Sequence, residues 1–224
     1  MITAKKWAVI VAAGRGSRFG SDVPKQFVML NNKPVLFYSL DVFSKLNYQL
    51  IVVIHPDDQL YYTALSETHL FPDHQIALGG AERFHSVQNA LALIPETAEL
   101  VLVHDAARPN IDTTFIQRLE GEVATYGNAI PALPVSDSLR MKMGDHWRAV
   151  HRDDYRIIQT PQFFNAFALK KAYQQDYSTS FTDDASVLEA DGNEIHLVVG
   201  KNGNIKITHA EDLKWMSFLM SNKG

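Results

Sequence analysis

The sequence predicts an α/β chain with a mostly parallel sheet, on three observations. Short β-branched apolar runs alternate with longer segments of helical period, the pattern of strands joined by covering helices. Two of those runs, Ile51-Val52-Val53-Ile54 and Leu100-Val101-Leu102-Val103, are continuously apolar, as strands buried on both faces of a parallel sheet are. The 224 residues, 46% hydrophobic and 21% charged, show no internal repeat and no Pro- or Ser-rich linker, so residues 1–224 are expected to form one domain.

The first expected strand, 7–11, follows Lys5-Lys6 and could be mistaken for a short signal peptide. Its apolar stretch is brief and runs straight into Gly14-Arg15-Gly16-Ser17-Arg18, whereas a secretory signal continues into a small-residue cleavage site. A buried strand is the better reading. A helix is expected at 34–46, then strands at 50–54 and 75–78. The next helix, 82–94, places Val87, Ala90, Leu91 and Ile94 on one face. Strand 100–104, helix 113–126 and strand 129–133 follow. One segment breaks the alternation: apolar Leu139, Met141 and Met143 alternate with Arg140 and Lys142, Gly144-Asp145 supplies a turn, and His146 to Val150 follows. This reads as a β-hairpin with one apolar face, an insertion at about 135–155 that packs on its own domain or on a second subunit. Helix 165–175 and strands 195–199 and 204–207 complete the chain.

Composition narrows the function classes. The formal charge is −4, with 21 Lys and Arg against 25 Asp and Glu, which argues against a general nucleic-acid binder. No cysteine is present, so disulfides, thiolate metal sites and a Cys nucleophile are excluded. No run approaches the roughly 18 apolar residues of a membrane helix. A soluble, cytoplasmic protein is expected.

Ligands of open parallel sheets bind at the carboxyl ends of the strands. One loop there is Ala12-Ala13-Gly14-Arg15-Gly16-Ser17-Arg18-Phe19-Gly20, followed by Pro24-Lys25. Its glycines let consecutive N–H groups approach a phosphate, with Arg18 and Lys25 as nearby cations. It is neither the dinucleotide fingerprint, because Phe19 stands where a third glycine would, nor a P-loop. A tight turn with solvated basic side chains is the alternative. The second loop is His104-Asp105-Ala106-Ala107-Arg108-Pro109. A carboxylate at that strand end is placed to hold a hard cation such as Mg2+, and Arg108 to fork onto a phosphate. The plainer alternative makes Asp105 a helix or turn cap. Thr182 could likewise be a helix N-cap and Lys206 a solvated strand lysine.

Seven segments together resemble the IspD family, the 2-C-methyl-D-erythritol 4-phosphate cytidylyltransferases: residues 12–20, Pro24-Lys25-Gln26, 79–87, 103–109, 160–164, 182–186 and 204–208. The resemblance implies a Rossmann-like nucleotidyltransferase fold with a protruding β-arm that clasps a partner subunit in a homodimer. It implies attack by methylerythritol phosphate on the α-phosphorus of CTP, with pyrophosphate leaving. By the match, Arg18, Lys25, Arg152 and Lys206 are the catalytic cations. Ala12, Ala13, Gly14, Gly16, Gly80, Ser86, Asp105 and Ala106 would hold CTP, with Asp105 also on Mg2+. Arg108, Ser138, Thr160 and Thr182 map to the methylerythritol phosphate site. Two departures stand out: Ala81 where relatives commonly carry Asp, and Ser138 where the arm usually carries threonine. The rival readings are a ribitol 5-phosphate cytidylyltransferase and a non-catalytic nucleotide-binding module. No nucleic acid or membrane partner is expected.

Overall fold

The computed structural model describes residues 5–15, 19–21 and 23–221. In chain order the elements are β1 (Lys6–Ala12), β2 (Met29–Leu30), β3 (Lys33–Pro34), α1 (Val35–Lys45), β4 (Gln49–Ile54), α2 (Gln59–Thr68), β5 (Gln75–Leu78), α3 (Arg83–Leu91), β6 (Leu100–Asp105), α4 (Thr113–Tyr126) and β7 (Asn128–Pro134). Then come β8 (Arg140–Met143), β9 (His146–Ala149), β10 (Arg156–Ile158), β11 (Gln162–Asn165), α5 (Ala166–Ala172), α6 (Asp184–Ala190), β12 (Leu197–Val199) and α7 (Ala210–Ser221).

The sheet runs β10-β7-β11-β6-β1-β4-β5, with β12 also on β7. β1 lies between β4 and β6, parallel to both, and β5 extends the sheet parallel to β4. The alternation within β1 divides the core: Trp7 and Val9 face one layer with Phe84, Val87 and Leu91 of α3, while Ala8 and Ile10 face the other with Leu36, Leu40 and Phe43 of α1. Helix ends follow local chemistry. The Asp112 carboxylate accepts from the Phe115 N–H at the start of α4, and Gly127 closes it with a left-handed φ of +77°.

Six expected strands and four expected helices form within a few residues of their expected bounds, and β1 is a buried central strand. The strand expected at 204–207 does not form. That segment is an extended strap whose bonds go to loops: Ile207 N–H donates to the Ala107 carbonyl at 2.8 Å, and the Asn204 side chain donates to the Thr160 carbonyl at 2.7 Å. Antiparallel β11, inserted between β6 and β7, was not anticipated, nor were β10, α2, α6 and α7. The hairpin forms as β8 and β9, with Gly144 at φ +60° in the first turn position, where a two-residue II′ loop favours glycine. Its expected apolar face does not hold. Cross-strand pairing sets Arg148 opposite Met141 and His146 opposite Met143, while Trp147 pairs with Lys142 on the other face. Neither face is purely apolar, and the whole hairpin is exposed.

Candidate active site

Four parallel strands end at one edge of the sheet, and the loops leaving them form a cavity of about 420 Å3. Ala13 and Gly14 leave β1, His55 leaves β4, Gly80 follows β5, and Asp105 is the last residue of β6. The backbones meet closely: a Cβ on Gly79 would lie 2.6 Å from that of Ala13, and one on Gly80 would run into His85. The Gly80 N–H donates to the Ser86 hydroxyl at 3.1 Å, which itself donates to the Glu82 carbonyl. Gln26, buried, donates to the carbonyls of Ala12 at 2.6 Å and Gly14 at 3.2 Å, stapling the glycine loop to the segment that carries Lys25.

A second cavity of about 230 Å3 adjoins the first and is lined by Arg108, Thr160 and Thr182 among others. Arg83, Asp105 and Lys206 line both. Asp105 is the electrostatic centre: Lys206 Nζ lies 2.8 Å from Oδ2, Arg108 Nε 3.6 Å from the same oxygen, and Arg83 Nη2 3.7 Å from Oδ1. Burial alone would raise the Asp105 pKa, but Lys206, Arg83 and Arg108 outweigh it and hold the carboxyl well below the usual range. Asp105 is thus an ionised carboxylate in a field of cations, not a turn cap. The turn itself is closed by the Arg108 N–H on the Asp105 backbone carbonyl.

Beneath it, a short network fixes the strand end. The Asp105 N–H donates to the Thr160 hydroxyl at 3.0 Å, which lies 3.2 Å from His104 Nδ1, while His104 Nε2 reaches the Arg108 carbonyl at 3.1 Å. These partners suit a neutral imidazole protonated on Nε2. Burial pushes its pKa down to about 3. Its contribution to stability is therefore whole above the ordinary histidine value, roughly 6.5, and fades as pH falls from there toward about 3, because between those values only the unfolded chain takes the proton. In His104→Gln, urea midpoints at pH 7 and pH 4.5 should differ less than in the wild type. An equal or greater loss on acidification would contradict this.

The expected site residues divide into groups. Ala13, Gly14, Lys25, Gly80, Ser86, Asp105 and Lys206 line the first cavity, and Arg108, Thr160 and Thr182 the second. Ala12 and Ala106 are buried at the strand ends beside the cavity. Thr182 is not the cap of α6: Asp183 is, in a reciprocal capping box with Ser186. Ser138 and Arg152 are exposed and line neither cavity, and the Arg152 guanidinium is held by the Ser136 carbonyl. Gly16 and Arg18 lie outside the described residues. Sequence reasoning did not single out Gln26 or Arg83, although both stand in the segments that carried the resemblance.

Among the described residues no three His, Cys, Asp or Glu side chains gather as a metal cage. Asp105 is the one acidic side chain that lines both cavities among the described residues, and its ionised carboxylate is an oxygen donor that would fit a hard cation.

Comparison with known proteins agrees with this geometry. Residues 7–222 match the family model described as IspD, 2-C-methyl-D-erythritol 4-phosphate cytidylyltransferase. The protein of that name from Bacteroides thetaiotaomicron is 42% identical over 219 residues, covering 96% of this chain and 100% of its own. The structure of the cytidylyltransferase from Francisella tularensis superposes with a TM-score of 0.79 at 31% identity, covering 96% of this chain and 99% of that one. The 4-diphosphocytidyl-2C-methyl-D-erythritol synthase from Anaerococcus prevotii gives 0.81 at 25% identity, covering 97% and 98%. A family-model match over residues 7–222, joined by a relative 42% identical along 96% of this chain, shows that the chain belongs to the IspD family of 2-C-methyl-D-erythritol 4-phosphate cytidylyltransferases.

Proposed function

We propose that this protein transfers the cytidylyl group of CTP to 2-C-methyl-D-erythritol 4-phosphate, as one nucleotidyltransferase domain with the hairpin as its arm. The product is CDP-methylerythritol, an intermediate of the non-mevalonate isoprenoid route. The observation that carries the reading is the Asp105–Lys206 pair at the seam of two cavities, one walled by glycine turns and the other by Arg108, Thr160 and Thr182. In that arrangement an oxygen of the acceptor phosphate attacks the α-phosphorus, the bond to the bridging oxygen of the β-phosphoryl breaks, and pyrophosphate leaves with the electron pair. The attacking oxygen is already ionised near neutral pH, so no general base is required. Two anions must meet while charge grows on the phosphorus oxygens, so positioned cations are the main means of catalysis. Lys25 and Arg18 serve the triphosphate; Lys206, Arg108 and Arg152 serve the acceptor phosphate. Asp105 is the residue that would hold Mg2+, and the ion would supply further charge neutralisation. The cytoplasm, where CTP is available, is the compartment we propose.

The test is pyrophosphate release from CTP with each polyol phosphate. Release with methylerythritol phosphate is expected. Release with ribitol 5-phosphate alone would change the substrate, and release with neither would leave a nucleotide-binding module. Asp105→Asn keeps size but removes charge, so it should lower activity and raise the Mg2+ concentration needed for half-maximal rate. An unchanged metal titration would restrict Asp105 to balancing its three cations.

We further propose a homodimer in which the arm region brings Arg152 to the partner's site. Its support is that Arg152 lines neither cavity of its own chain, while Met141, Met143 and Trp147 of the hairpin are exposed. Inactive Arg152→Ala and inactive Lys25→Ala, unfolded and refolded together, would then form heterodimers with one intact site. Random pairing should restore about a quarter of wild-type activity. No recovery would mean that each Arg152 serves its own subunit.

A further inference from the structure

Of the three side chains that line both cavities, Arg83 is gripped from behind by a buried acid. Nη1 donates to Asp184 Oδ1 at 2.9 Å and Nη2 to Oδ2 at 2.7 Å, a two-bonded fork. Asp184 is fully buried and also accepts from the Tyr173 hydroxyl at 2.6 Å. On its other side Arg83 Nη2 faces Asp105 Oδ1 at 3.7 Å. The fork spans the site: Arg83 opens α3, which carries Ser86, and Asp184 opens α6, directly after Thr182 and Asp183. It therefore joins an element of the nucleotide cavity to an element of the acceptor cavity. A fork of this kind sets the guanidinium plane as well as its charge, which a lysine could not do.

We propose that Arg83 is a positioning residue for cytidylyl transfer: held by Asp184, it fixes the Asp105 carboxylate at the seam where the two phosphates meet. The inference rests on the transfer reading above. Lys206 and Arg108 both face Asp105 Oδ2, at 2.8 and 3.6 Å, and Arg83 is the cation on Oδ1 among the described residues. Without the guanidinium on Oδ1, the carboxylate turns toward the Oδ2 side and draws the Lys206 ammonium, its nearest cation, away from the phosphates. A displacement of about 1 Å at such a centre costs on the order of 10²-fold in rate. The loss falls on the chemical step, because Lys25 and the glycine turns that hold the triphosphate are untouched.

Arg83→Lys keeps the charge and removes the fork. Steady-state kinetics at saturating CTP and methylerythritol phosphate, with CTP affinity from calorimetry, should show kcat lowered by roughly 10- to 100-fold while CTP affinity changes by less than about threefold. Stranding Asp184 carries a risk to folding, since an unpaired buried charge is strongly destabilising. The double variant Arg83→Gln/Asp184→Asn removes both charges and is expected to stay folded with the same loss in kcat. A folded variant of either kind with kcat within about threefold of wild type overturns the proposal. So does a loss confined to CTP affinity, which would make Arg83 an ordinary wall of the nucleotide cavity. If wild-type protein itself releases no pyrophosphate, it is the transfer reading that fails.

Discussion

Lys25→Ala should lower kcat by on the order of 10²-fold or more, with a smaller change in KM for CTP. Lys25 lines the first cavity next to Gln26, whose amide is bonded to the carbonyls of Ala12 and Gly14. Its backbone is thus carried by a segment pinned to the glycine loop, so on the proposed reading the ammonium would meet phosphate with little reorganisation. A charge set in advance acts most where charge grows, which here is on the phosphorus oxygens and the departing pyrophosphate. A variant with normal kcat and raised KM would make Lys25 a residue of ground-state binding. Initial rates of pyrophosphate release across a CTP series separate the two results.

The second large effect is on stability. Phe163→Ala should cost about 3–5 kcal/mol, read from urea unfolding at fixed pH. Phe163 is fully buried in the core layer of Leu36, Leu40, Phe115 and Ile116, while its neighbour Phe164 fills the opposite layer with Val87 and Leu169. Both sit on β11, which pairs with β6 on one side and β7 on the other. Truncation would leave a cavity in the middle of the sheet, where neighbours bonded on both sides have little freedom to collapse. A loss under about 1 kcal/mol would mean that the layer repacks.

How far each feature could be read in advance follows from how local its cause is. β4 and β6 were legible because continuous Val, Leu and Ile runs have few other structural uses. The hairpin was legible because Gly144-Asp145 is a turn in itself. β11 was not: four residues with polar ends, Gln162 and Asn165, become a strand only because β6 and β7 leave a slot between them. The strap at 204–207 resembled a strand because its bonding partners, Ala107 and Thr160, are nowhere near it in sequence. At the site, Asp105 stood out by its place at a strand end. Arg83 did not, because an arginine opening a helix looks solvated until Asp184, 101 residues later, is brought against it. The roles of Lys206 and Arg152 came only through the resemblance, since an isolated cation carries no local signature.

The strap has a consequence for how the enzyme is made. Lys206 reaches Asp105 because Ile207 beside it is buried against Ala107 and against Met216 of α7, in a small cluster apart from the two main core layers. A ribosome releases these residues after the strands of the sheet and the glycine turns, which have had time to fold. Until α7 emerges and clips the strap in place, the nascent chain holds Asp105 against Arg83 and Arg108 without its nearest cation. The cation ring around Asp105 is therefore completed only after α7 has emerged. A chain truncated before α7 would carry every strand of the sheet and still lack the anchor for the lysine that faces Asp105.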